Sequence, residues 1–351
     1  MNPTLSGSLP DFPPGIVLEE LKLSATNLSG TLPESIGNLR LLKTLHLTAC
    51  RFSGSLPASF HNLTRLVSVD LSINNFSGPV PSFASSPNIS KIDLQNNSLS
   101  GPFPGWIFSL PSLHNELQGS LPMSISRLQH LKILRLASNN LSGTVELSLF
   151  GNLRNLSILD LSYNRLIVFP SLLRNLPRLT RLDLSGNNIS GSIPDWLWSV
   201  GSLVYLNLSH NSLTNFQSLP DFSNSSLIVF DLHSNNLAGP IPRPPPSNVM
   251  VDFSNNHFAA SIPSDIGSTL NFSIFFSVSN NRLTGGIPES VCSGVYLQLR
   301  SLNLHGNMLQ GAVPQSLSSC EGLEVLDLGN NRIEDAFPSG WGISLICVSL
   351  V

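Results

Sequence analysis

Charge is scarce in this chain. Asp, Glu, Lys and Arg make up 11% of its 351 residues, against about 25% in an average globular protein, and Ser and Asn supply the missing polarity. The formal net charge is only −3. That excludes the basic footprint of a nucleic-acid binder and the cationic face of a protein held on anionic membranes. Cysteine is also rare. Cys50, Cys292, Cys320 and Cys347 stand far apart, with no Cys-x-x-Cys and no Cys/His cluster, so zinc, haem and dithiol-redox motifs are excluded while the redox compartment stays open. The eight histidines are dispersed. No phosphate-cradling glycine loop and no nucleophile with a motif-level partner is present, and the expectation is a protein with no catalytic activity and no cofactor. Long apolar runs are missing as well. The stretch from Ile343 to Val351 falls short of the roughly 20 residues that span a bilayer, and Met1-Asn2-Pro3-Thr4 does not begin a signal peptide.

What the chain does contain is a period. Pro33, Pro57 and Pro81 are each 24 residues apart, and Pro104, Pro170, Pro194, Pro242, Pro263, Pro288, Pro314 and Pro338 continue the series with small drifts. Each closes the same phrase: residues 179–194 read LTRLDLSGNNISGSIP, and residues 323–338 read LEVLDLGNNRIEDAFP. Leu182 and Leu184 are two apart, so in an extended strand both side chains reach one face. One unit cannot bury that face alone, whereas stacked copies share a continuous core under a parallel sheet. The Asn three residues after the last Leu, as at Asn74, Asn97, Asn139, Asn164, Asn187 and Asn331, is expected to turn the chain and to bond backbone groups of adjacent coils. Thr26 and Cys50 occupy that place in the first units as weaker substitutes. The second half of each unit, biased by Pro and turned by Gly, predicts a second short strand and single 3₁₀ turns. The expected architecture is an α/β repeat solenoid, a right-handed horseshoe or superhelix with a parallel concave β-sheet. About fourteen units fill residues 1–338, and residues 339–351 form a non-repeat tail.

Two features break the pattern. Only 18 residues separate Pro104 from Pro122. Around 110–117 the Leu-x-Leu strand is missing, so the flanking strands must close the gap or leave a kink. Both ends also lack polar caps, and the chain reads as a fragment or truncated gene model, with a natural short isoform as the alternative.

The repeated phrase Leu-x-x-Leu-x-Leu-x-x-Asn-x-Leu-Ser-Gly-x-Ile-Pro resembles the plant-specific leucine-rich repeat of receptor-like kinases, receptor-like proteins and polygalacturonase inhibitors. Residues 251–267 (VDFSNNHFAASIPSDIG), 275–292 (FFSVSNNRLTGGIPESVC) and 326–339 (LDLGNNRIEDAFPS) are similar to receptor-like proteins of the Verticillium-wilt-resistance group. The resemblance implies part of the ectodomain of a plasma-membrane immune receptor facing the cell exterior. It also implies a protein or peptide ligand and an adaptor receptor-kinase co-receptor, with no nucleic acid. A secreted inhibitor of cell-wall-degrading enzymes and a nonfunctional truncated product are the alternatives. An inhibitor would carry about ten repeats between cysteine caps, which this chain lacks.

The residue between the two core leucines of each inner strand is expected to face solvent. Down that column Asp70, Asp93, Asp160, Asp183, Asp231, Asp252 and Asp327 form an acidic stripe interrupted by Arg135, and such a stripe suits a cationic peptide or protein patch. Asp at this place is common in the repeat type whatever the ligand. Tyr163, Tyr205 and His233 lie at neighbouring variable positions where aromatic anchors would sit. Asn-x-Ser/Thr sequons at Asn27, Asn62, Asn75, Asn88, Asn96, Asn140, Asn155, Asn188, Asn207, Asn224 and Asn271 are candidate glycosylation sites. Asn207 lies in the strand column and should be modified less readily than Asn62 or Asn224.

Overall fold

The computed structural model describes residues 4–78, 81, 85–99, 118–119, 130–135, 137–138, 140–143, 153–169, 176–222, 225–294, 297–334 and 347–349. They form two compact units, 1–188 and 189–351.

Each coil of the first unit begins with a three-residue strand. Glu20–Lys22, Thr44–His46, Ser68–Asp70, Lys91–Asp93, Ile133–Arg135, Ile158–Asp160 and Arg181–Asp183 follow one another in a parallel inner sheet. The register repeats the motif, as in Leu159 opposite Leu182 and Asp160 opposite Asp183. Leu179, Leu182 and Leu184 of one phrase are fully buried, as are Leu156, Leu159 and Leu161 of the phrase before it. Neighbouring coils thus bury one leucine layer in common, which no single coil can do. Residues 110–117, where an inner strand is expected to be missing, lie outside the described residues, but the pairing of the flanking strands does not. Lys91–Asp93 pairs directly with Ile133–Arg135, Ile92 opposite Leu134. The sheet closes over the shortened repeat, and no inner strand lies between them.

In the second unit the inner strands are Tyr205–Asn207, Val229–Asp231, Met250–Asp252, Phe275–Ser277, Ser301–Asn303, Val325–Asp327 and Cys347–Ser349, again in sequence order. The tail expected to leave the repeat supplies the last of these, with Val348 opposite Leu326. A chain of aromatic edges fills this core: Trp198 against Phe222 at 5.1 Å, Phe222 against Phe230 at 5.4 Å and Phe230 against Phe253 at 5.3 Å. Trp198 and Trp196 are half-buried, and Trp106 lies outside the described residues.

The back half of each coil is a second short strand, as at Asn27–Gly30, Arg51–Ser55 and His257–Ser261. In six coils among the described residues a 3₁₀ turn is added, which opens in most cases right after the repeat Pro, as at Glu34–Asn38 after Pro33. Proline fixes φ near that needed to start the turn. The α part of the expected α/β class is therefore present only as 3₁₀ turns: no α-helix occurs among the described residues, and none of their helices is long and apolar enough to cross a membrane.

The Asn ladder takes the form the repeat predicts. Asn187 donates from Nδ2 to the carbonyls of Leu161, Leu184 and Ser185 at 2.9–3.1 Å and accepts the Leu166 N–H on Oδ1 at 3.0 Å. Asn97, Asn235, Asn256, Asn281 and Asn307 repeat the set; Asn139 lies outside the described residues. In the first coils Thr26 Oγ1 donates to the Leu23 carbonyl at 2.9 Å and Cys50 Sγ reaches the same oxygen at 3.3 Å, so the free thiol serves as a ladder residue.

The residue just before a ladder Asn has positive φ, as at Ile73 (56°), Asn96 (54°), Tyr163 (52°), Gly186 (62°), His210 (51°), Asn255 (53°), Asn280 (52°) and Asn330 (51°). A β-branched side chain is least at ease there. Ile73 is 48% exposed, so little burial compensates its backbone strain. Ile73→Asn is expected to stabilise the first unit by about 1 kcal/mol, the lower end of the left-handed penalty, read as a rise in the midpoint of chemical denaturation.

One covalent tie was not legible as such in the sequence. Cys292 and Cys320 form a disulfide beside two neighbouring 3₁₀ segments, Cα atoms 5.4 Å apart and 28 residues apart in the chain. That spacing is close to one repeat period, and both cysteines follow a repeat Pro by a few residues, which was the available signal.

Candidate functional site

The solvent side of each inner sheet is built from two columns, and the structure assigns them different work. The first is the inter-leucine column. Its side chains close the turn that ends the strand: Asp70, Asp160, Asp183, Asp252 and Asp327 accept on Oδ1 the backbone N–H two residues on, at Ser72, Ser162, Ser185, Ser254 and Gly329. A following Ser can add a second bond through its hydroxyl, 2.7 Å from Ser185 to Asp183. A short carboxylate that bonds its own backbone favours such a turn, which accounts for the recurrence of Asp in the repeat without invoking a ligand.

That geometry corrects the expectation of a solvent-facing acidic stripe. Asp93, Asp183 and Asp231 are only 2%, 7% and 8% exposed, covered by their own turns and by side chains from adjacent strands. Asp70, Asp160, Asp252 and Asp327 are half-buried. In the first unit the charge is also met by cations. Lys91 Nζ lies 2.8 Å from Asp70, Arg135 reaches Asp93 across the closed gap at 3.2 Å, and Arg181 lies 3.8 Å from Asp183. Burial raises the Asp93 pKa above its ordinary value. At Asp70 burial is outweighed by hydrogen bonds from Lys91, Ser72 and Thr48, and its pKa falls.

Asp183 gives a direct test of this turn-closing role. Burial, and after it the Asp160 carboxylate, raises its pKa. A carboxyl whose folded-state pKa exceeds its unfolded value costs stability once it is ionised in both states, and that cost disappears as pH falls below the unfolded value. Asp183→Asn keeps the Oδ1 acceptor for Ser185 and removes the charge. It should raise the thermal midpoint at pH 7, and the advantage should shrink as pH is lowered through the carboxylate range.

The second column is the left-handed position that precedes the ladder Asn. Here many side chains stand clear: Tyr163 is 59% exposed and Ile73 48%, and Asn96, His210, Asn255, Asn280 and Asn330 are also exposed. The Tyr163 ring lies over the next coil, where a Cβ on Gly186 would come within 2.7 Å of it. Of the expected aromatic anchors, Tyr163 therefore stands in this column. Tyr205 is half-buried, its hydroxyl 3.5 Å from Asn207 Nδ2.

In the second unit imidazoles take the place of the cations. His233 occupies the place that Ser fills in most coils, and its Nδ1 lies 2.8 Å from Asp231; His305 Nδ1 lies 3.3 Å from Asp327. Burial raises the Asp231 pKa.

The sequons divide by exposure. Asn75, Asn88, Asn96 and Asn188 are exposed, whereas Asn27, Asn62, Asn155, Asn207 and Asn271 are half-buried. Asn155 already accepts a 2.6 Å bond from Arg178. The side chains of Asn140 and Asn224 lie outside the described residues.

This coil, with its buried leucines, Asn ladder and outer 3₁₀ turn, defines a leucine-rich-repeat protein. Profiles described as leucine rich repeat match residues 129–189 and 167–213, and also 17–39, 41–63, 88–110, 202–225, 298–320 and 322–343, together more than half of the sequence. The chain belongs to the leucine-rich-repeat family, and relatives that align with it include receptor-like proteins of Arabidopsis thaliana. Receptor-like protein 32 of Arabidopsis thaliana is 32% identical over 223 residues, which cover 61% of this chain and 25% of that protein. The chain thus spans about a quarter of the length of the curated relatives it matches. Among solved structures, PEPR1–AtPEP1 superposes with a TM-score of 0.78 at 28% identity, over 93% of this chain and 50% of that one. The Arabidopsis receptor kinase HAESA, in complex with the peptide hormone IDA and the co-receptor SERK1, superposes with a TM-score of 0.62 at 26% identity, over 89% of this chain and 62% of that one.

Proposed function

We propose that this chain is a ligand-binding portion of the ectodomain of a plant cell-surface receptor-like protein that perceives pathogen-derived or peptide ligands. It has no catalytic activity of its own. One observation above all supports this. The repeat spends its inter-leucine carboxylates on closing turns and leaves a separate exposed column, with Tyr163 in the first unit and His210 in the second, to vary from coil to coil. Interface energy concentrates in aromatic anchors such as Tyr163, and the two columns together give a peptide backbone polar partners flanked by anchors. The peptide and co-receptor named with HAESA support a peptide ligand and a receptor-kinase co-receptor here. The exposed sequons and the Cys292–Cys320 disulfide suit an oxidising, extracellular setting. The phrases at 251–267, 275–292 and 326–339, similar to the Verticillium-wilt-resistance group, support the defence role.

The test is panning of a displayed peptide library on the chain secreted from plant cells. The expected result is an enriched peptide whose binding is weakened by Tyr163→Ala or His210→Ala and unaffected by Thr214→Ala on the outer strand. Failure to enrich any peptide, together with inhibition of a fungal cell-wall hydrolase, would instead establish the inhibitor.

A further inference from the structure

Beside those two columns runs the N-terminal edge of the inner strands, and its character changes along the chain. In the first unit each inner strand places at least one polar residue there, as at Lys43–Thr44, Ser90–Lys91 and Thr180–Arg181. In three successive coils of the second unit the same edge reads Ile228–Val229, Val249–Met250 and Ile274–Phe275. The register sets Met250 between Val229 and Phe275. Ile228 is 39% exposed and Ile274 38%, and the other four are half-buried. The backbone is already bonded from coil to coil, Met250 N–H to the Ile228 carbonyl and Phe275 N–H to that of Val249. Whatever lies on this edge therefore meets side chains. The edge runs into a depression of about 440 Å³ walled by Ile274, Leu297 and Leu323, with Glu321 and the Arg300–Glu324 ion pair on its rim. A contiguous apolar patch rimmed by polar groups marks an interaction site.

Charge says what kind of group it meets. Val229, Met250 and Phe275 hold the strand position from which Lys91 and Arg181 meet Asp70 and Asp183 in the first unit. In the second unit Asp231 is met by His233 and Asp327 by His305. His233 is engaged at both nitrogens, Nδ1 2.8 Å from Asp231 and Nε2 2.8 Å from His210 Nε2. Asp252, at the end of the Met250 strand, accepts the Ser254 N–H and has no ion pair among the described residues. From this juxtaposition we propose that the edge binds an extended peptide segment with apolar side chains and one Lys or Arg, the apolar groups on Ile228 to Phe275 and the cation on Asp252. Three strands about 4.8 Å apart span roughly 10 Å, which three or four extended residues cover. Acidic peptides are rejected, because a ligand carboxylate would face Asp252 and Glu321. This ligand chemistry belongs to the receptor reading above and rests on it.

A synthetic peptide array that varies Leu, Phe, Ser, Lys and Glu at each position, probed with the labelled chain, is the test. Bound sequences should combine Leu or Phe with a Lys and exclude Glu. For such a peptide in solution, Ile228→Ser with Ile274→Ser should weaken binding more than about 10-fold, the loss usual for anchor contacts. Both side chains are exposed, so folding is expected to be intact. Asp252→Asn keeps the acceptor for Ser254; it should weaken the Lys peptide about 10-fold and leave its Lys-to-Ser analogue unchanged. Thr284→Ala, exposed on an outer strand, should change nothing. No bound sequence, no preference for apolar residues, or binding indifferent to the Ile228→Ser and Ile274→Ser pair overturns the surface. A dimer of the chain that the same pair dissolves would assign the edge to a second copy and overturn it as well. Binders that respond to His210→Ala but not to the edge variants leave the receptor reading standing without this surface, whereas panning that enriches nothing removes that reading itself.

Discussion

Asn187→Ala should destabilise the first unit by about 3 kcal/mol, because a buried polar group left without a partner costs about 1–3 kcal/mol and this side chain serves several. The Leu166 N–H loses its side-chain acceptor, and the Leu161 and Leu184 carbonyls lose their shared donor. Water cannot replace them readily, since Asn187 is 7% exposed. Asn187→Asp keeps the acceptor but places a negative charge against the carbonyls, and should fare no better. The neighbouring Asn188, with an exposed side chain, is the control: Asn188→Ala should stay within about 0.5 kcal/mol of wild type. Chemical denaturation of the three variants checks the ordering. Equal stability of Asn187→Ala and Asn188→Ala would mean that the ladder does not hold the coils together.

The second large effect belongs to the disulfide. Cys292→Ser with Cys320→Ser should lower the stability of the second unit by about 3 kcal/mol, as expected for a loop of this length. Both cysteines are buried, at 1% and 6% exposure. Reductant should therefore act slowly on the folded protein and quickly above the thermal transition. Thermal scans with and without reductant, alongside the double variant, measure this directly. A midpoint unaltered by the double substitution would show that the tie contributes nothing.

Much of the fold was legible because a repeat announces its own geometry. The spacing of Leu179, Leu182 and Leu184 fixes which side chains are buried, and the Asn column fixes where each coil turns. Even the missing strand was visible as a shortened interval, and Ile133–Arg135 indeed pairs with Lys91–Asp93. The final strand was not legible, because Cys347-Val348-Ser349 belongs to no Leu-x-Leu phrase, although Val348 stands opposite Leu326 in the register.

The candidate site was legible only in part. Period-2 reasoning places Asp93, Asp183 and Asp231 off the leucine side correctly. It carries no information on what the next two residues do, and those turns, with Arg135 and Lys91 from other coils, bury the carboxylates. The exposed column at Ile73, Tyr163 and His210 follows from backbone angles that residue type does not announce, since Ile and Tyr are unusual there. The His210–His233 contact joins two columns and two coils, a relation that reading one column at a time cannot show.

A ligand is expected to meet the strand side of the coils, on the exposed column beside the turn-closing carboxylates. Hydrogen exchange of the chain, with and without a peptide enriched by panning, measures this without further assumption. Slowed exchange should fall on the inner strands and the turns that follow them, such as Tyr205–Asn207 through Asn211 or Ile158–Asp160 through Asn164. The outer strands and 3₁₀ turns should be unchanged. Protection confined to Ser212–Phe216, His257–Ser261 or the 3₁₀ turns would place the ligand on the opposite side and refute the assignment.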